Sequence, residues 1–284
     1  MYKYVGCALL CLVVNARAQQ AQPDTAKKPI YGWKKSLVAG LTLTQVSFKD
    51  WQQGGEDALA WAVSLDGKSE NDQPKTNWAT SYKFAYGQTK LGDQGIRKTD
   101  DKIDLETVLT YKLGSIINPY VAATLKTQFA RGFDYTTEPK TAVSTFFDPA
   151  FLTQSVGFGY QPVPQVKTRL GLALREIITS DFTGYADDPA TLAIEKTKTE
   201  GGMESVTNVD WKLAANLLLT AKLELFAAFK NFDEVIVRSD NTLAAKVSKY
   251  VTVNLNVQLI NEKKVTPRTQ VKETIAIGLS YALL

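Results

Sequence analysis

Residues Lys98–Tyr135 read KTDDKIDLETVLTYKLGSIINPYVAATLKTQFARGFDY, and their alternation decides the fold. Ile103, Leu105, Thr107, Leu109, Tyr111 and Leu113 take every second position, with Lys102, Asp104, Glu106, Thr110 and Lys112 between them. Successive side chains of a strand point to opposite faces, so this is a strand with one apolar and one charged face. After a short turn carrying Gly114, Asn118 and Pro119 the pattern resumes. Val121, Ala123, Leu125, Thr127 and Phe129 then alternate with Ala122, Thr124, Lys126, Gln128 and Ala130. The two runs form a hairpin. A soluble sandwich alternates in the same way, but its strands run to about 5–6 residues. Runs of about twice that length suit strands that cross a bilayer at a tilt.

The rest of the chain repeats the pattern. Ten further strands are expected at about 36–48, 57–68, 76–90, 150–161, 166–178, 201–213, 217–230, 234–247, 250–260 and 271–283. The strand at 234–247 is the least regular, alternating cleanly only at Leu243, Ala245 and Val247. The fold class predicted is all-β: a transmembrane, antiparallel, up-and-down barrel of about twelve strands, an even number as in bacterial single-chain barrels. Connections sort by side. Starting from a periplasmic N-terminus, FKDWQQGGED, LGDQGIR, 134–149, 179–200, 231–233 and NEKKVTPRTQ face outward, and most others are tight turns. SENDQPKT, expected as a loop on the tight-turn side, is the exception.

At the chain start, Lys3, the apolar run Tyr4–Val14 and Ala16-Arg17-Ala18 fit a secretory signal peptide over residues 1–18. Residues 19–35 then read as a flexible periplasmic lead-in, with Tyr31 and Trp33 at the membrane interface, and 36–284 as the barrel. No segment approaches the roughly 20 apolar residues of a membrane helix. Without the leader, 33 bases fall by Lys3 and Arg17 to 31, against 29 acids. That interspersed, near-neutral balance gives no nucleic-acid signal.

Several stretches resemble a family of outer-membrane β-barrels from the Bacteroidetes group, the domain-of-unknown-function family 3078. They are Ser47–Glu56 (SFKDWQQGGE), Gly95–Leu105 (GIRKTDDKIDL), Thr127–Tyr135 (TQFARGFDY) and Asp148–Thr153 (DPAFLT). The resemblance implies an outer-membrane barrel in a Gram-negative cell and brings no activity with it. Many outer-membrane barrels end in an aromatic residue, whereas this chain ends in Leu284, with Tyr281 close by.

The chain has no His, and both its Cys, Cys7 and Cys11, lie in the leader. This removes Ser-His triads, Cys nucleophiles and ordinary zinc sites. No enzyme, cofactor or metal is therefore expected, although a carboxylate pair or an Asp-Lys dyad stays open. The partners expected are outer-membrane lipid, the barrel assembly machinery, and either small polar solutes or a surface partner.

Candidate lumen-lining residues are Lys83, Lys102, Asp104, Glu106, Lys126, Lys167, Arg169, Arg175, Glu204, Asp210, Lys222 and Glu224, all on polar-face positions. Lys83, Lys126, Lys167, Arg169 and Arg175 form a positive arc opposite a mixed one, which would favour anionic solutes; a salt-bridged plug is the competing reading. Asp100, Asp101, Asp104 and Glu106 form either a cation site or a charge network that keeps the interior satisfied. Small inward residues, Ala58, Ala60, Ala62, Ala276, Gly278 and Ser280, leave room for water or for neighbouring long side chains. In the first outer loop, Trp51, Gly54 and Gly55 read as a ligand-binding turn or as loop packing, with Gly supplying φ > 0. The function expected is a passive channel or binding barrel for small polar solutes; the alternative is a plugged structural or surface-interaction barrel acting through its outer loops.

Overall fold

The computed structural model describes residues 31–49, 52 and 55–284. The leader and residues 19–30 of the lead-in lie outside the described residues. Twelve strands close into one antiparallel barrel: β1 (Gly32–Val46), β2 (Ala58–Asp72), β3 (Thr76–Leu91), β4 (Ile96–Tyr111), β5 (Ile117–Thr127), β8 (Ala150–Val163), β9 (Val166–Ile178), β10 (Thr197–Ala214), β11 (Leu217–Ala228), β12 (Asn231–Lys246), β13 (Val251–Asn261) and β14 (Gln270–Ala282). Each pairs with its sequence neighbours and β1 closes the ring on β14, with Gly40 opposite Ser280 and Thr42 opposite Gly278. β6 (Gly132–Asp134) and β7 (Thr141–Ser144) form a separate hairpin between β5 and β8.

Several expected boundaries move. β1 begins at Gly32, so residues 32–35 of the expected lead-in are strand, paired with Ser69–Asp72 of β2. SENDQPKT is mostly strand as well: β2 runs to Asp72, and the turn is only 73–75, closed by the Gln73 amide donating to the Thr76 carbonyl at 2.8 Å. Glu70 and Asp72 of this stretch face the lumen, where Asn77 donates to both. Ser69 and Asn71 lie on the outer face, with Asn71 between Trp33 and Trp78 in register at the rim. Every connection at this end is thereby short. Asn118 and Pro119, expected in a turn, lie in β5 beyond its pairing with β4. Pro119 there needs no partner on that side. The expected polar segment 134–149 contains β7, and the outer connection after β9 shrinks to 179–196 because β10 starts at Thr197.

Outside, the barrel is apolar: Leu43, Val121, Phe158, Leu172 and Ile275 are all exposed. At the short-turn end this surface ends in aromatic rings near the strand ends, Trp33, Trp78, Tyr111, Trp211 and Tyr281, and in Tyr250 of the turn before β13. Trp33 and Trp78 lie 6.0 Å apart, and Tyr250 stacks on Tyr281 at 6.2 Å. Amphipathic rings at the rim of an apolar band are the arrangement that a bilayer interface selects. Strand β12 looked irregular because Ser239 and Asn241 occupy its outer face; they satisfy each other with a 2.8 Å hydrogen bond.

Candidate functional site

The inward positions of β4, β5, β9, β11 and β12 carry long charged side chains, and these meet across the lumen. Glu106 on β4 lies 3.0 Å from Arg169 on β9 and 2.8 Å from Lys222 on β11. Lys222 is also 2.8 Å from Glu224, which pairs with Lys126 of β5. Lys102 of β4 reaches Asp240 of β12 at 2.8 Å, with Asp104 at 3.9 Å. β4 and β12 are six places apart in the ring, the largest separation that twelve strands allow. Nearer the loop end, Glu262, just after β13, binds Arg175 at 2.7 Å and Arg238 at 3.0 Å, and Arg175 approaches Glu200 at 3.6 Å. Burial would raise the Glu262 carboxyl, but Arg175 and Arg238 overcome it and hold the group below the ordinary glutamate value.

This network divides the interior. On its β5–β8–β9–β10 side the inward residues are packed: Tyr120, Ala122, Thr124, Ser155, Ala173 and Val206 are buried. A cavity of about 50 Å³ remains there, lined by Lys126, Phe151, Arg175, Glu204, Phe226 and Arg238, with room for on the order of three waters. Glu204 is buried and has no ion pair among the described residues.

On the other side the wall is made of small residues. Two adjacent hydrogen-bonded rows, Gly87–Ala62–Thr42–Gly278 and Ala85–Ser64–Gly40–Ser280, run across β3, β2, β1 and β14. Gly87 is buried and the other seven are partly covered. Inward-facing Ser36, Val38, Thr44 and Val46 of β1, Asp66 of β2 and Thr274 of β14 are all exposed. Val38, at 40%, contrasts with Ala173, at 7%, on β9, the strand diametrically opposite. The inward face of β1 is thus exposed toward both its ends, with Gly40 and Thr42 partly covered between them.

The expected candidates separate accordingly. Lys102, Asp104, Glu106, Lys126, Arg169, Arg175, Lys222 and Glu224 belong to the ion-pair wall. Lys83 faces the open half, between Asp66 and Asp104 in register. Lys167 and Asp210 are exposed at the short-turn rim and stand apart from the network. The positive arc does not survive as such, because Lys126, Arg169 and Arg175 are each neutralised from across the lumen. The acidic group disperses too. Asp100 pairs with Lys272 of β14 at 3.0 Å, Asp101 faces the opposite way, pairing with Lys98 at 2.7 Å and accepting the Phe129 and Ala130 amides, and Glu106 joins the wall. Strand alternation and rise explain this dispersal.

Trp51 and Gly54 lie outside the described residues. Gly55 has φ +135°, and a Cβ there would come within 2.6 Å of the Phe48 ring, so it is needed for conformation and for close approach. Asp66, Glu200, Arg238, Asp240 and Glu262 went unnoticed in the sequence. Alternation marked Arg238 and Asp240 as inward once β12 is accepted as a strand, but nothing in the sequence said which cation each acid meets.

Residues 43–133 match the family described as "Protein of unknown function (DUF3078)", and residues 151–283 match "Protein of unknown function, DUF481". No curated protein matches the chain in sequence. Among solved structures, the chain is similar to the translocator domain of the autotransporter NalP from Neisseria meningitidis, with 11% identity, 90% of each chain covered and a TM-score of 0.38. It is also similar to an outer-membrane channel from Pseudomonas putida F1, with 10% identity, 93% of this chain and 99% of that chain covered and a TM-score of 0.40. The toluene transporter TodX from Pseudomonas putida matches at 9% identity over 90% of each chain, with a TM-score of 0.29.

Proposed function

We propose that this barrel lies in the outer membrane, with its long connections facing outward, and passes small polar solutes through the open half of its lumen. The observation that carries the reading is the contrast between exposed Val38 and buried Ala173 on opposite strands. A barrel filled throughout would bury both. The ion-pair wall acts as a rigid partition that narrows the lumen, so the passage is smaller than the strand number alone suggests. The function is transport, with no catalytic step assigned.

Single-channel recording from residues 19–284 in a planar bilayer tests it, after heat-dependent gel mobility has established a folded barrel. Small ohmic steps are expected. A folded barrel that shows no conductance overturns the reading.

A second reading, a surface-interaction role for the loop end, draws on Asp148. Its buried carboxylate accepts the Asp181 amide at 2.7 Å, tying the β6–β7 segment to the 179–196 loop. Tyr185 of that loop meets Phe151 edge-on at 6.4 Å. Such loops are held in one shape before any partner arrives. Deleting residues 187–195 is expected to abolish partner capture by whole cells and leave heat mobility intact; full capture by the deletion variant would sink this role.

A further inference from the structure

We infer that the open passage selects against net charge and takes neutral, hydrogen-bonding solutes of sugar-like chemistry, guided by a track of amides on β13. The inference rests on the channel reading above and deepens it. Three observations support it.

The first is charge balance. At mid-depth and at the loop-side mouth, the open half carries Asp66, Lys83, Asp100 and Lys272, two acids and two bases. The ion-pair wall behind it is balanced as well, with Asp104, Glu106, Glu224 and Asp240 against Lys102, Lys126, Arg169 and Lys222. Lys102 and Asp240 are paired, as are Lys272 and Asp100, and Lys83 stands opposite Asp66. Selectivity in pores comes from rings of one sign. Interleaved pairs leave no net sign for an ion to follow.

The second is the β13 face. Thr252, Asn254, Asn256 and Gln258 occupy four successive inward positions, all uncharged hydrogen-bonding groups. Gln258 donates to Asn256 at 2.9 Å, and Asn256 donates to Asp240 at 2.7 Å and to Thr242 at 2.8 Å, so these two are held in place. Asn254 differs. It lies between Ala244 and Ala276 in register and has no side-chain hydrogen bond among the described residues. Its amide offers two donors and an acceptor at a point where neighbouring side chains are methyl groups.

The third is the mouth. The Asp100–Lys272 pair joins β4 to β14 across the strands that border the open half, with side chains 36% and 41% exposed. An arriving ion must compete with this pair, whereas a neutral solute need not.

The test uses the folded barrel in two assays, reversal potential in a KCl gradient and swelling of liposomes in L-arabinose. A potassium-to-chloride permeability ratio within about twofold of one is expected from balanced pairs. Asn254→Leu, close in volume and without the amide, is expected to slow arabinose swelling about 2- to 10-fold, the equivalent of one neutral hydrogen bond, with the ion ratio unchanged. Asn254→Gln, which keeps the amide, should hold most of the sugar flux. A strongly cation- or anion-selective pore, or sugar flux indifferent to Asn254→Leu, overturns the inference and leaves the channel standing. Neither conductance nor swelling from a folded barrel overturns both.

Discussion

Glu106 of β4 and Lys222 of β11 meet at 2.8 Å across the lumen, from strands five places apart in the ring. Arg169, three places from β4 in the same direction, holds the same carboxylate at 3.0 Å. One acid therefore ties three strands together and gives two cations their counter-charge. Removing solvent from such groups is expensive, and the geometry recovers that energy only while all three remain.

Glu106→Ala is expected to destabilise the barrel by about 3–5 kcal/mol, since it leaves Arg169 and Lys222 in a solvent-poor interior without a counter-charge. The urea midpoint of the heat-modifiable band measures it. Replacing all three, Glu106→Leu with Arg169→Met and Lys222→Met, should recover much of the loss, because paired charges in low dielectric can often be exchanged for apolar packing. If the triple variant is as unstable as Glu106→Ala, the cost lies in lost packing and not in stranded charge.

The division of the lumen is directly testable with cysteine, because both natural Cys lie at positions 7 and 11. Val38→Cys is expected to react with a water-soluble charged thiol reagent in the folded barrel and to lower conductance on modification. Ala173→Cys, on the opposite strand and buried, should stay unreactive until unfolding. Equal reactivity at the two positions would remove the basis for an open and a filled half.

Asp100 and Lys272 form the most solvent-exposed of the cross-lumen pairs described, and exposed pairs contribute about 0–1 kcal/mol. Breaking the pair is therefore expected to leave stability nearly unchanged and to act on transport. Asp100→Lys should shift the reversal potential toward anion selectivity, and the swapped Asp100→Lys with Lys272→Asp should return it toward balance. A swap that fails to restore the ratio would mean that the pair does not stand in the ion path.

Most of the fold was legible because a barrel writes its two faces into every strand. β9 alternates Val166, Leu170, Leu172 and Leu174 against Lys167, Arg169, Ala173 and Arg175, and its ends fall where the sequence reading put them. Boundaries failed where polarity has two meanings. In Glu70 and Asp72 it marks lumen-facing strand rather than loop, in Ser69 and Asn71 the outer face near the rim, and in Ser239 and Asn241 it sits outside, paired with itself. The site was legible in part. Alternation shows that Glu106, Arg169 and Lys222 point inward, but their meeting depends on ring closure, on shear, and on positions 63 and 116 residues apart in the chain. The same closure separates Lys83, left beside open space, from Lys126, neutralised by Glu224.

Acid should loosen the loop end first, through Glu262. This residue follows β13 and is bound by Arg175 at 2.7 Å and by Arg238 at 3.0 Å. Burial opposes its ionisation, yet the two guanidinium groups keep its folded-state pKa below the ordinary glutamate value. A carboxyl with a depressed folded pKa binds protons less readily when folded than when unfolded. Its contribution is therefore complete above the unfolded value and is lost as pH falls through the folded one. The unfolding midpoint is expected to stay level from neutral pH down to the ordinary glutamate range and to drop below it. Other carboxylates contribute to that fall, so the difference between wild type and Glu262→Gln is the diagnostic. The variant should begin less stable at neutral pH, because two arginines lose their counter-charge, and should converge on the wild type in acid. Parallel curves, with a constant gap at every pH, would show that Glu262 acts through shape and not through its charge.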